Sequence, residues 1–273
     1  MLRNLVNSVL SPSPLRSCAK AIIRSLRLGS LEERARIGAL VRPGYGYCTY
    51  FAADLAKRLG RKRITVVELG VAGGRGLLQL EQHAIEVEKA LSIKIDVVGF
   101  DTGEGLPRPV DYRDLPYIWQ PGFFKIEADV LRKRLSRAEL VFGDIAQTLP
   151  TFLSAQDDCS VGAIMVDVDY YSSTMATFTA IERNVEKLLP RSFFYFDDVV
   201  GDHQHLYSEF TGELGAINDF NKTHEDLKFS APPHLFHKAA FEPWASQIYV
   251  LHAFEHPLYG EFAGHTQPQL PLR

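Results

Sequence analysis

The chain is short of cysteine, has only two tryptophans and carries nearly balanced charge. Its three cysteines, Cys18, Cys48 and Cys159, are isolated and odd in number, with no C-x-x-C spacing. That pattern suggests neither a disulfide framework nor a zinc site and fits a reducing, cytoplasmic setting. No apolar run approaches the ~20 residues a membrane-spanning helix needs, and those near the start are too short for a secretory signal. With 30 Lys+Arg against 33 Asp+Glu the net charge is −3, so no global basic field exists to hold nucleic acid by its phosphates. What is present is material for a sizeable core: 273 residues, 46% of them hydrophobic, one large domain or one large and one small.

The first 31 residues carry Arg3, Arg16, Lys20, Arg24 and Arg27 before the first acid, Glu32. Basic, acid-poor segments of this kind occur as organelle-targeting or membrane-surface peptides. Leu15, Ala19, Ile22, Ile23 and Leu26 nevertheless stand at helical spacing, which predicts an ordinary docking helix or a contact of a homo-oligomer. With a second helix across 49–59, residues 1–60 read as an N-terminal helical extension.

From there the pattern alternates. Apolar runs at 64–69, 96–101, 139–144, 163–169 and 193–198 predict strands, and the stretches near 75–91, 126–135, 146–155 and 173–188 predict the helices between them. A further intervening segment near 208–225 leads to LKFSAP, and 246–254 supplies a last strand after only a loop, as an antiparallel addition would. The fold class is therefore α/β, a doubly wound seven-stranded sheet, mostly parallel with the last strand reversed. It occupies residues 61–256, and 257–273 reads as a loose tail. Residues 102–125, rich in proline, glycine and aromatics, interrupt the rhythm after the second strand. Long irregular connections are commonly lids, here with Tyr112, Tyr117, Trp119 and Phe123 as wall candidates.

Residues 64–76, ITVVELGVAGGRG, pass from a β-branched strand through Glu68 into a loop holding Gly70, Gly73, Gly74 and Gly76, followed by the apolar LLQL. Glycine permits positive φ and close approach, and free N–H groups at the helix start attract an anion, so a small charged cofactor is expected. The spacing matches neither G-x-G-x-x-G nor G-x-x-x-x-G-K-[ST]. Ala72 stands where the first pattern needs glycine, which disfavours a nicotinamide cofactor. Acids close the other strands too: Asp101, Asp144, Asp169 and the pair Asp197-Asp198, all expected at the ligand-binding edge of an open parallel sheet. An acid after the second strand suits ribose hydroxyls, while Asp144 serves equally well as a helix cap. Carboxylates from Asp167-Val168-Asp169 and Phe196-Asp197-Asp198 repel one another unless a cation joins them. Oxygen-only donors favour Mg²⁺. Asp167 and Asp169, two apart, should share one strand face, with Asp169 nearer the carboxyl end.

Glu68-Leu69-Gly70-Val71-Ala72-Gly73-Gly74 resembles the E-x-G-x-x-x-G signature of class I S-adenosylmethionine (SAM) methyltransferases, and seven strands with the last reversed resemble their Rossmann-like sheet. The D-x-D-x-Y-x-S-T pattern from Asp167 to Thr174, with the later Asp-Asp, resembles the metal-dependent macrocin O-methyltransferase (TylF) type and, more distantly, catechol O-methyltransferase. The likeness covers residues 60–254. It implies SAM held by Glu68, Gly70, Val71, Gly74, Asp101, Asp144 and Ile145. It also implies Mg²⁺ on Asp169, Asp197 and Asp198, and O-methylation of a small hydroxylated substrate, a secondary metabolite or a sugar. Ser172 replaces the lysine base of the catechol enzymes, which leaves the base open. His203, His205 and, more weakly, Lys125 are candidates. The missing lysine also leaves room for another reaction such as hydroxylation, and a non-catalytic SAM-fold module is the reading from a different class.

Overall fold

The computed structural model describes residues 14–158, 160–239 and 241–264; Arg3, Cys159 and the tail beyond Gly264 lie outside them. Helices α1 (Pro14–Ser25), α2 (Leu31–Ile37) and α3 (Pro43–Arg58) precede β1 (Arg63–Leu69), α4 (Arg75–Leu91) and β2 (Lys94–Asp101). There follow α5 (Ala128–Arg134), β3 (Glu139–Phe142), α6 (Ile145–Ser154), β4 (Val161–Val166) and α7 (Tyr171–Glu182). The chain then forms β5 (Leu188–Phe196), α8 (Gly212–Thr223), β6 (Leu227–Ser230), α9 (Phe236–Ala239) and β7 (Ile248–Ala253).

The strands form one sheet in the order β3-β2-β1-β4-β5-β7-β6. Strands β1 to β5 pair in parallel, and β7 runs against both β5 and β6. Every residue of β4, and every residue of β1 after Arg63, is buried. That is why these strands read as continuous apolar runs, since helices cover both faces of the sheet. Tyr45, Cys48 and Ala52 of α3, with Leu77 and Leu80 of α4, pack on one face. Phe178 of α7, Phe220 of α8 and Leu149 of α6 pack on the other. Residues 43–58, part of the sequence-defined extension, thus belong to a core beneath the sheet. The chain goes from β1 outward to β3, then returns to β4 on the other side of β1, so a crevice opens between the carboxyl ends of β1 and β4. Asp167 N–H donates to Leu69 O at 2.9 Å there, and Gly70 N–H donates to Phe100 O at 2.9 Å.

Several boundaries differ from the periodicity. β4 stops at Val166, so Asp167 and Asp169 are not alternating strand residues and do not share a strand face. β3 ends at Phe142. α7 ends at Glu182 and β5 begins at Leu188, because Leu188 and Leu189 are buried strand residues that look like a helix tail in sequence. The expected docking of α1 is reversed. Leu15, Ile22 and Leu26 are 82%, 55% and 66% exposed; the helix is held instead by Arg16 and Lys20 on the buried Glu242, the latter at 2.6 Å. A buried carboxylate needs cationic partners, and that demand turns the basic face inward. Among the described residues no helix is long and apolar enough to cross a membrane.

Candidate active site

The carboxyl ends of β1, β2, β4 and β5 open into a cavity of about 780 Å³. Its floor begins at the glycine loop. Gly70 has φ +83°, and a Cβ there would lie 1.7 Å from the Asp167 carbonyl oxygen, so only glycine lets the loop cross the end of β4. Asp101, at the end of β2, braces the loop: its Oδ2 accepts from Val71 N–H at 3.0 Å and Ala72 N–H at 2.9 Å, and its Oδ1 accepts from Gly103 N–H at 2.7 Å. A carboxylate offers about four acceptor sites. Three backbone donors leave Asp101 capacity for about one hydroxyl rather than a free pair of oxygens for two.

Gly70, Asp101, Asp144 and Ile145 of the sequence-assigned cofactor residues line the cavity; Glu68, Val71 and Gly74 do not. Glu68 is 1% exposed and faces the opposite way. It accepts from the Tyr45 hydroxyl at 2.7 Å and lies 3.9 Å from Arg42 Nη1, with its Oε2 unpartnered. Burial pushes its pKa up to about 8. Val71 buries its side chain and offers only its backbone N–H. Gly74 starts α4 in the left-handed region, where a Cβ would collide with Leu131 of α5. Asp144 caps α6 through Ala146 N–H at 2.9 Å while also lining the cavity, so the helix-cap and ligand-facing readings are compatible.

Four aspartates line the same cavity beyond β4 and β5: Asp167, which adjoins the glycine loop, with Asp169, Asp197 and Asp198. Asp169 sits at φ +60°, an uncommon conformation for a residue with a side chain, costing about 1–3 kcal/mol. The Tyr195 hydroxyl donates to Asp197 Oδ1 at 2.8 Å, and the Tyr207 hydroxyl to Asp198 Oδ1 at 2.8 Å. Asp198 Oδ2 is buried without a partner. Fully buried Glu213 accepts Asp198 N–H at 2.9 Å and leaves its other oxygen unpartnered. Burial, then the neighbouring charges of Asp198 and Asp197, lift Asp169 to about 8. Burial lifts Asp198 to about 6 against the pull of the Tyr207 hydroxyl. Asp167 and Glu213 are raised by burial and by the other carboxylates. Carboxylates that repel one another when ionised, with an orphaned oxygen on each of Asp198 and Glu213, match the donor chemistry of a hard divalent cation. Among the described residues no three His, Cys, Asp or Glu side chains are grouped as a ready metal cluster. The donors therefore fit such an ion in chemistry, without being converged on one point.

Residues 102–125 cover the cavity, tied down at three places. Buried Asp114 accepts from Val110 N–H at 2.7 Å, Ser172 N–H at 2.8 Å and Ser172 Oγ at 2.9 Å. The Tyr170 hydroxyl donates to Pro107 O at 3.2 Å, and the Tyr117 hydroxyl to His205 O at 2.7 Å. Ser172, at the position of the missing lysine, thus clasps the lid. Trp119 lines the cavity as expected, but its aromatic companion is Phe124; Tyr112, Tyr117 and Phe123 are exposed. The proposed bases also stand elsewhere. His203 is exposed, His205 accepts Asp202 N–H at 3.0 Å, and neither lines the cavity. His205 packs on Trp119 of the lid at 5.7 Å between ring centroids, and its carbonyl takes the Tyr117 contact. Lys125 pairs with Glu104 at 2.8 Å. Sequence reasoning missed Arg42, Tyr45, Asp114, Tyr207 and Glu213, single residues in unremarkable contexts that no motif flags.

Strand order, glycine loop and acid-lined cavity together define an α/β protein with the Rossmann-like sheet of the class I methyltransferases. No protein-family model matches the chain, and no curated protein matches its sequence. Among solved structures it is similar to CalS11, a calicheamicin methyltransferase, at 19% identity over 80% of this chain and 90% of that one, with a TM-score of 0.44. It is also similar to an O-methyltransferase from Bacillus cereus solved in complex with SAH, at 14% identity over 91% and 96%, with a TM-score of 0.42. The O-methyltransferase TomG from Streptomyces achromogenes, solved with SAM, matches at 15% identity over 83% and 86%, with a TM-score of 0.40. At such values the fold class rests on this chain's own strand order and register.

Proposed function

We propose that this chain is a SAM-dependent O-methyltransferase, assisted by Mg²⁺, that methylates a hydroxyl of a small molecule such as a secondary metabolite or a sugar. One observation supports the reading: the braced glycine loop and a set of carboxylates line the same cavity. In this reading residues 61–256 carry the SAM-binding catalytic sheet, and α3 from the 1–60 extension completes its core. Gly70, Asp101, Asp144 and Ile145 contact the cofactor, while Glu68, Val71 and Gly74 shape the loop from behind. Asp169, Asp197 and Asp198 would hold the ion, which when bound lowers the pKa of a coordinated hydroxyl and orients it.

Methyl transfer forms a carbon–oxygen bond as the carbon–sulfur bond breaks, so the hydroxyl must lose its proton and lie in line with the methyl group. Tyr195 and Tyr207 fix the orientation of Asp197 and Asp198 through their hydroxyls. Trp119 and Phe124 give the lid side of the cavity an aromatic wall. With Ser172 committed to Asp114 and both histidines outside the lining, the bases within reach are the cavity's carboxylates that do not hold the ion.

The test is calorimetric titration of the full chain with S-adenosylhomocysteine, with and without Mg²⁺, using NADH as control ligand. Micromolar binding of the homocysteine with no NADH signal is expected. Absence of binding under every condition overturns the reading and favours a non-catalytic role for the fold.

A further inference from the structure

Among the described residues Arg108 is the one cation in the cavity lining. It belongs to the lid, whose other cations are neutralised: Arg113 pairs with Asp111 at 2.7 Å and Lys125 with Glu104 at 2.8 Å. Arg108 has no ion pair or side-chain hydrogen bond among the described residues, although six aspartates share its cavity. Its backbone is stiffened on both sides. Pro107 and Pro109 flank it, and a residue before proline is confined to extended conformations. The Pro107 carbonyl is in turn held by the Tyr170 hydroxyl. Arg108 therefore stands on a stiffened segment of the lid, in the same cavity lining as the carboxylates that follow β4 and β5.

We propose that Arg108 recognises an anionic group, a carboxylate or a phosphate, carried by the acceptor substrate at the end remote from the methylated hydroxyl; this rests on the O-methyltransferase reading above. A guanidinium matches either group bidentately. Arg108 is exposed, so its charge stays solvated until a substrate enters; an anionic end placed beside it gains a partner, whereas the six aspartates elsewhere in the lining repel an anion. Arg108 thus sets both the charge and the orientation of the substrate, its anionic end toward the lid and its hydroxyls toward Asp169, Asp197 and Asp198.

The probes are protocatechuate, its neutral carboxamide and the matching phosphonate, which share one vicinal diol and differ in the remote group. They are titrated into the full chain loaded with S-adenosylhomocysteine and Mg²⁺. The wild type should bind at least one anionic probe about tenfold more tightly than the carboxamide, the scale of a charge-assisted contact. Whichever anion binds more tightly identifies the group. R108Q should bring charged and neutral probes within about threefold of one another, R108K should keep part of the preference, and homocysteine affinity should be unchanged in both. Equal binding of charged and neutral probes, binding of none, or a preference that survives R108Q overturns the assignment. So does a tenfold loss of homocysteine affinity in R108Q, which would place the guanidinium on the cofactor's carboxylate. Failure of the wild type to bind the homocysteine at all overturns the methyltransferase reading instead, so the two failures are distinguishable.

Discussion

Replacing Asp114 by alanine should release the lid without unfolding the protein. The carboxylate is 1% exposed and accepts three hydrogen bonds, two from Ser172 at the start of α7 and one from Val110 within the lid. Each bond to an ionised group contributes about 1.5–3 kcal/mol when isolated. The three are not additive, and the freed N–H groups regain water as the lid lifts, so about 3 kcal/mol is a reasonable net loss. At 1.4 kcal/mol per factor of ten, that raises the open population about a hundredfold. Hydrogen exchange reads it directly. Protection at the Val110 and Ser172 amides should fall by about two orders of magnitude, while the buried amides of β1 and β4, which exchange through global unfolding, should change far less. Acceptor KM should rise with the loss of cover, more than the homocysteine dissociation constant does. Unchanged protection at Val110 and Ser172 would refute the clasp. A uniform loss across β1 and β4 would show that Asp114 supports the whole core rather than the lid.

The raised carboxylates make a pH prediction whose sign is opposite to that of an ordinary ion-paired acid. Glu68 and Asp169 are lifted to about 8 and Asp198 to about 6, so between the ordinary carboxylate range and those values the folded state holds protons that the unfolded chain has released. Stability of the metal-free protein should fall as pH rises through that window, at up to about 1.4 kcal/mol per pH unit for each group. Thermal midpoints in chelator at pH 5 and pH 8 measure this, with E68Q expected to be less pH-dependent; a midpoint that rises with pH would contradict it. Asp198→Asn should fold, bind S-adenosylhomocysteine as the wild type does and lose Mg²⁺-dependent turnover. Without metal at pH 8 it should melt no lower than the wild type, because a like charge has left a buried group. Unaltered turnover would remove Asp198 from the site.

The sheet was legible because its evidence is local. Continuous apolar runs in β1 and β4 record burial on both faces, and the acids after β3, β4 and β5 mark where the chain leaves the core for the cavity. The glycine loop was legible for the same reason, since a positive φ at Gly70 is a property of one residue and its immediate path. The ends of β3 and β4 were harder to read: the expected strands ran on to Asp144 and Asp169, whereas pairing stops at Phe142 and Val166, because strand ends are set by partners in other segments.

The amino-acid sequence by itself determined the alternation of strands and helices, the turn at Gly70 and the concentration of carboxylates at the strand ends, because periodicity, glycine and charge act within a few residues. Only the tertiary structure decided how those pieces are used. It set Asp101 to brace Val71 and Ala72, joined Asp114 to Ser172 across 58 positions, turned α1 outward, and left Glu68 behind the loop with His203 and His205 outside the lining. Each of these depends on which distant backbone donor, buried charge or aromatic face is packed alongside, a choice made by the competition to satisfy buried polar groups once the core has closed.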